Sequence, residues 1–324
     1  MITKTYNHND YEIIRLSYKD GLQHGNGPTL FYRGEFMIRY DDKIYSLRPN
    51  LPVMPELIQL HKFNSHREIH KYFIHNDENK DEHESEYNRC FVMPKIDGSL
   101  LCATCVHKHS VAGKYILENN NEFIIEFKNY VIFIGSRSCL FVSETDNMKN
   151  MILKSIISTY GSIKNMATYV LEYVINNINN FDAVTVIFEC VYKEPIHGLV
   201  VNYNKDFVKH ISCVYNVNGN NYIKLFDNFI EEINCKDINE YFHKKEKDAL
   251  DGMTEDLEGI MVAFTNNDMT KILYVKMKFQ WYYYFHKAHK YLKECDDIIN
   301  DNKYKNIIDK IVMCKPKRFS QKKS

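Results

Sequence analysis

Met93-Pro94-Lys95-Ile96-Asp97-Gly98-Ser99 lies between two apolar runs, Cys90-Phe91-Val92 and Leu100-Leu101-Cys102-Ala103. That pattern predicts a strand, a tight turn at Asp97-Gly98 and a second strand, as in a hairpin. In extended geometry Lys95 and Asp97 project to the same side, and Gly98 lets another group approach the backbone closely. Two readings are open at this point. The lysine is a nucleophile placed beside a nucleotide phosphate, or it is the exposed lysine of an ordinary hairpin.

Upstream, Thr29-Leu30-Phe31-Tyr32, Glu35-Phe36-Met37-Ile38 and Lys43-Ile44-Tyr45-Ser46-Leu47 predict a β-meander, with Arg33 and Arg48 at strand ends. Lys62 follows in a more helical stretch. Residues 77–86 set six acids against one lysine and read as a solvated loop. Downstream, Tyr115-Ile116-Leu117 and the runs 123–127 and 130–134 are expected to continue the sheet, followed by Gly135-Ser136-Arg137-Ser138. Helical spacing marks 148–159 (Met151, Ile152, Ile156) and 163–178 (Met166, Val170, Tyr173, Val174). Further strands are expected at 184–191, 199–203, 208–215, 221–226, 259–264 and 273–278, with a polar helical region at 228–250. The expected architecture is one α+β domain over 1–286, of antiparallel sheets with flanking helices. A short helical extension with a basic tail, Lys315 to Lys323, covers 287–324.

A hydrophobic content of 44% with 26% charged residues is that of a soluble globular protein. Equal numbers of basic and acidic residues, 42 each, do not advertise a polyanionic partner, although a basic groove balanced by acidic surface stays open. No apolar run reaches the roughly 18 residues of a membrane helix, and the N-terminus lacks a signal-peptide core. Nine scattered cysteines, several in apolar strands, point to reduced thiols in an intracellular, cytoplasmic protein.

Three places set ionisable groups inside apolar strands, where they are costly unless paired or used. Glu189 follows the run 184–188, Glu258 opens the 259–264 strand, and Lys276 and Lys278 stand two apart and so share a face. Singly, each also fits a strand-end charge escaping to solvent. Together with Lys95 and Asp97 they make the inventory of a metal-dependent phosphoryl-transfer site. Carboxylates hold a hydrated Mg²⁺, lysines neutralise phosphate charge, and a further lysine attacks.

In this order, Lys95-x-Asp97-Gly98-Ser99, Phe188-Glu189, Glu258-Gly259 and Lys276-x-Lys278 resemble motifs I, III, IV and V of the covalent nucleotidyltransferases. That superfamily contains the DNA and RNA ligases and the mRNA capping enzymes. Arg33-Gly34, Arg48-Pro49, Lys62-Phe63-Asn64 and Trp281-Tyr282 are similar to the flanks of the type-1 ATP-dependent RNA ligases that act in phage tRNA repair. Ser136-Arg137-Ser138 falls where that family has a Ser-Lys step. The resemblance spans residues 30–286. The segment between Ser99 and Arg137 is longer than the family's, Arg137 presents a planar fork in place of an ammonium, Gln280 replaces an acid, and His197-Gly198 replaces an Asn-Arg pair. After Lys278 no room is expected for an OB domain or for a large tRNA-specific C-terminal domain.

The resemblance implies three steps: Lys95 takes AMP from ATP, AMP passes to an RNA 5′-phosphate, and an RNA 3′-OH displaces it. It further implies that Asp97, Glu189 and Glu258 hold Mg²⁺ (or Mn²⁺) largely through waters, and that Lys276 and Lys278 contact the α-phosphate. Arg33, Arg48 and Lys62 would serve the β- and γ-phosphates, or Arg33 would instead grip RNA; Gly98 and Arg137 would lie at the nucleotide, and Ile260 or Met261 would line the adenine. No kinase or phosphatase module is recognisable, so a separate end-healing protein is expected for damaged ends. The rival functions are a DNA ligase or capping guanylyltransferase on the same fold, and an inactive RNA-binding scaffold.

Two other patterns compete for attention. Cys102-x-x-Cys105-x-His107-x-His109 has the look of a zinc set, but along a strand Cys102 and Cys105 face opposite sides. Trp281 and Tyr282-Tyr283-Tyr284 either stack RNA bases or pack the core.

Overall fold

Short apolar-polar alternations make the first sheet: β1 (Ile2–His8), β2 (Tyr11–Ser17), β3 (Arg33–Tyr40) and β4 (Lys43–Arg48). The computed structural model describes residues 2–8, 10–17, 33–51, 89–142, 148–193, 201, 203–224, 231–234, 237–253, 257–267, 272–282 and 286. The four strands pair antiparallel in chain order, the meander that the pattern predicts. Asp41 and Asp42 turn the β3–β4 hairpin at φ of 50° and 57°, a conformation that short polar side chains tolerate. Ile13, Phe36, Ile38 and Leu47 carry the buried face.

The Lys95 stretch is not a hairpin. β5 (Arg89–Lys95) and β6 (Ser99–His107) belong to different sheets. β6 pairs with β8 (Tyr130–Ser136) and β9 (Ala183–Val191) at the centre of a six-stranded sheet. β7 (Ile124–Glu126), β10 (Phe207–Val217) and β11 (Asn220–Lys224) complete it in the order β11-β10-β9-β6-β8-β7. β5 instead sits between β12 (Glu231–Ile233) and β13 (Gly259–Thr265), with β14 (Ile272–Lys278) at the edge. Residues 96–98 are therefore a crossover between two sheets. Both flanking strands are apolar and buried, so each needs a sheet partner on both sides, which a two-stranded hairpin cannot supply.

The segment after β6 also departs from expectation. Residues 115–117 close α1 (Val111–Leu117), whose first turn is capped by Ser110 Oγ accepting from the Gly113 N–H at 3.0 Å. α2 (Lys149–Tyr160) and α3 (Ile163–Asn177) match their predicted spans. Gly161 at φ 78° ends α2, and Ser162 Oγ accepts from the Asn165 N–H to start α3. Met166, Ala167, Val170 and Val174 then fall on one face against the central sheet. Burying Val170 alone contributes roughly 1.5–3 kcal/mol. Ser155 Oγ donates to the Val191 carbonyl at 2.7 Å and ties α2 to β9.

The polar region 228–250 resolves into β12 and α4 (Ile238–Leu250), which packs Ile238, Phe242 and Ala249 under the small sheet. Tyr274 of β14 reaches Ser212 of β10, their hydroxyls 3.4 Å apart, so the small sheet and the central sheet face each other. Every pairing among the described strands is antiparallel, and the fold is α+β. No described helix is long and apolar enough to cross a membrane. Residues 29–32, Lys62, the acidic stretch 77–86, His197-Gly198, 283–284 and the C-terminal extension with its basic tail lie outside the described residues.

Candidate active site

Antiparallel register sets the first row of the site. Lys95 faces Gly259 on β13, and Gly259 faces Lys278 on β14. Opposed residues share a face, so two lysines flank a position with no side chain between them. The next row on that face reads Met93, Met261, Lys276. Period two thus brings Lys276 and Lys278 together, as expected. Met261 shares their face. Ile260 does not: it points the opposite way, into the core with Val92, Val262 and Met277.

Glu258 is fixed by its backbone before its side chain acts. Its N–H donates to the Lys95 carbonyl at 2.9 Å and its carbonyl accepts from the Phe279 N–H at 3.0 Å. Its carboxylate is 5% exposed and binds two ammonium groups, Lys95 through Oε2 and Lys278 through Oε1, the latter at 2.9 Å. Burial pushes the Glu258 pKa up, but the two lysines more than offset this and hold it below the ordinary carboxylate value. Burial likewise pushes Lys95 down, and Glu258, Glu189 and Asp97 reverse it, leaving Lys95 above the ordinary lysine value. Lys95 is therefore a protonated, paired ammonium.

Asp97 is buried and held on every side. Its N–H donates to Tyr203 Oη at 2.8 Å, Oδ1 accepts from the Tyr282 hydroxyl at 2.9 Å, and Oδ2 accepts from the Val201 N–H at 3.0 Å. Burial and the neighbouring carboxylates Glu258 and Asp97 raise the Tyr282 pKa, so this phenol stays a donor. Gly98 is demanded by packing: a Cβ there would lie 2.5 Å from the Cys190 carbonyl oxygen and 3.0 Å from Glu189 Cγ. Glu189 thus sits against the crossover. It stands opposite Leu100 on β6 and Lys209 on β10.

Lys209, Tyr203 and Tyr282 are the participants that sequence reasoning missed or undervalued. The alternation of the 208–215 strand could have flagged Lys209. Nothing in sequence spacing places Tyr203 beside the Asp97 amide.

Arg48 is placed otherwise than the triphosphate role requires. It has no exposed surface. Nε and Nη2 donate to the Gly34 carbonyl at 3.1 and 2.8 Å, and Nη2 also to the Arg137 carbonyl at 2.7 Å. Nη1 donates to the carbonyls of Ser136 at 2.6 Å and Cys139 at 3.1 Å. An arginine has five N–H groups, and these bonds engage all of them. The guanidinium also stacks over Phe36, 4.4 Å from the ring centre. Arg33 opens β3, and Arg137 is exposed at the end of β8.

The carboxylates offer hard oxygen donors, suited to Mg²⁺. Among the described residues no three acidic, histidine or cysteine side chains are grouped to chelate an ion directly. With Glu258 on two lysines and Asp97 on Tyr282 and Val201, the donor set fits an ion that keeps its own waters between itself and the protein. The cysteine-histidine pattern dissolves: Cys102 and Cys105 are buried in different core clusters. Burial pushes the Cys105 thiol up to about 12, far from a metal-binding thiolate. Trp281 and Tyr282 are buried with Phe279, which leaves neither ring open to stack a base, and Tyr282 adds its hydrogen bond to Asp97. No protein-family model matches this chain, and no curated protein matches it.

Proposed function

We propose that this chain is an ATP-dependent RNA ligase on a nucleotidyltransferase fold, joining RNA 3′-OH and 5′-phosphate ends through lysyl-AMP and RNA-adenylate intermediates. The observation that carries the reading is the Lys95–Glu258–Lys278 chain built on a buried carboxylate, with Asp97 and Glu189 close enough to act on the same ammonium.

The chemistry required is attack of the Lys95 amine on the α-phosphorus, forming an N–P bond as the bond to pyrophosphate breaks. A free lysine at pH 7 is neutral in on the order of one molecule in 10³. Paired with Glu258, Lys95 holds its proton more firmly still. Loss of that pairing is the activating event, because burial then favours the neutral amine. Lys278 and Lys276 share Lys95's face, which supports a role in neutralising charge on the α-phosphate. Met261, on the same face, supplies an apolar contact for the base. Asp97, Glu189 and Glu258 would hold a hydrated Mg²⁺, which supplies positive charge that opposes the Lys95 proton. Asp97 also anchors the crossover, so the nucleophile stays at a fixed height above the sheet.

Incubation with α-labelled ATP and Mg²⁺ tests the proposal. Wild type should take label covalently, and Lys95→Ala should take none. A wild type that takes no AMP, or a variant that takes it equally well, ends the assignment. A panel of labelled nucleotides with RNA and DNA nicks separates the RNA ligase from the capping and DNA-sealing alternatives.

A further inference from the structure

Arg48 costs the fold a buried charge whose donors all go to neutral carbonyls, so its use must lie in what it holds. It holds two segments from different sheets. One is Arg33-Gly34 at the start of β3, the other is 136–139 at the end of β8. Their contact is intimate: Gly34 has φ of 67°, and a Cβ there would collide with the Arg137 carbonyl oxygen and lie 3.2 Å from Arg48 Nη2. The second segment lies at the catalytic end of the central sheet. Ser136 faces Leu101 on β6, and the adjoining Leu100 faces Glu189. Two strand spacings separate β8 from β9, on the order of 10 Å.

We infer that Arg48 is a positioning residue, a backbone clamp that locks Gly34 of β3 and the 136–139 segment together so that Arg137 is held to serve a polyphosphate beside Lys95. This rests on the ligase reading. Arg48 itself does not touch the nucleotide. Its planar fork serves carbonyls spread over two segments, which an ammonium with three donors cannot do. Arg137 keeps its side chain exposed while its carbonyl is held.

The measurement is the ATP dependence of lysyl-AMP formation, paired with calorimetric binding of AMP, which lacks the β- and γ-phosphates. Arg48→Lys should raise the KM for ATP about tenfold, change the maximal rate by less than about threefold, and leave AMP binding unchanged. Arg137→Ala should show the same split. The double variant should be no worse than the poorer single one, since both remove the same contact. An unchanged KM, parallel loss of ATP and AMP binding, or multiplying effects would overturn the clamp. If Arg48→Lys is insoluble, Gly34→Ala forces the same two segments apart without touching the guanidinium and is judged by the same criteria. A wild type that takes no label defeats the ligase reading instead. Binding of inorganic tripolyphosphate then judges the clamp: about tenfold weakening in both Arg48→Lys and Arg137→Ala supports it, and equal binding overturns it.

Discussion

Arg48 is fully buried and Lys95 keeps only 16% of its side chain exposed, and the two cations are satisfied by opposite means. Arg48 spends its donors on backbone carbonyls, whereas Lys95 meets a carboxylate that it shares with Lys278. Carbonyls are held by the sheets and cannot leave without opening them. A glutamate side chain can rotate, and each of its oxygens can exchange one cation for another. Burial lowers the Arg48 pKa, as expected for a charge with only dipoles around it, while carboxylates raise that of Lys95. A cation on carbonyls is part of the frame; a cation on a shared carboxylate is in a resting state that an exchange of partners can change. Burial alone does not separate the two. The partner does.

The largest expected difference is in stability. Arg48→Met leaves four carbonyl groups without their donor and should cost about 3–5 kcal/mol in denaturant unfolding. A loss under about 1 kcal/mol would erase the distinction between frame and resting state.

His210 provides an intermediate case, a buried base that gives up its charge. Nδ1 accepts from the Tyr169 hydroxyl at 2.8 Å and Nε2 donates to the Ser212 carbonyl at 3.1 Å, so both nitrogens are used by the neutral ring. Burial lowers its pKa to about 4. Because the unfolded chain binds that proton near pH 6.5, its contribution is complete above 6.5 and is lost as pH falls toward 4. The expected loss is roughly 3 kcal/mol over that window, read as wild type minus His210→Gln in unfolding experiments at each pH. A flat difference would show that the ring is not held neutral.

Lys95→Met should cost far less than the arginine change, about 1 kcal/mol, because Lys278 still compensates Glu258. A penalty as large as that of Arg48→Met would make Lys95 structural. An effect of the same small size belongs to Tyr282→Phe, which removes one hydrogen bond to Asp97 Oδ1 and should cost on the order of 1 kcal/mol. The rate of AMP transfer should fall with it if Asp97 sets the height of Lys95, and an unchanged rate would limit Tyr282 to packing.

Most strands, the helices α2 and α3 and the unusual strand charges are legible in the sequence, since alternation, helical spacing and the cost of burying charge act locally. Lys276 and Lys278 share a face for that reason alone. The destination of each strand is not local. The same residues that read as a hairpin at Lys95 become a crossover because β5 finds β13, far along the chain, as a better partner than β6. Residues 115–117 read as strand because their apolar run is short, and the Ser110 cap with tertiary burial made them helix. Arg48 reads as a strand-end arginine for the phosphates until the carbonyls of two distant segments converge on it.

By itself, then, the sequence determined which strand charges are too costly to bury without a purpose, Glu189, Glu258 and the lysine pair, and singled out Lys95 and Asp97 beside them. Tertiary structure alone decided who meets whom. It joined Lys95 to Glu258 across β5 and β13, put Tyr203 and Tyr282 on Asp97, turned Ile260 away from the site and moved Arg48 from ligand to frame. The cost of a buried charge is a property of the residue and its strand, whereas the group that offsets it comes from register and sheet order, which only the folded chain fixes.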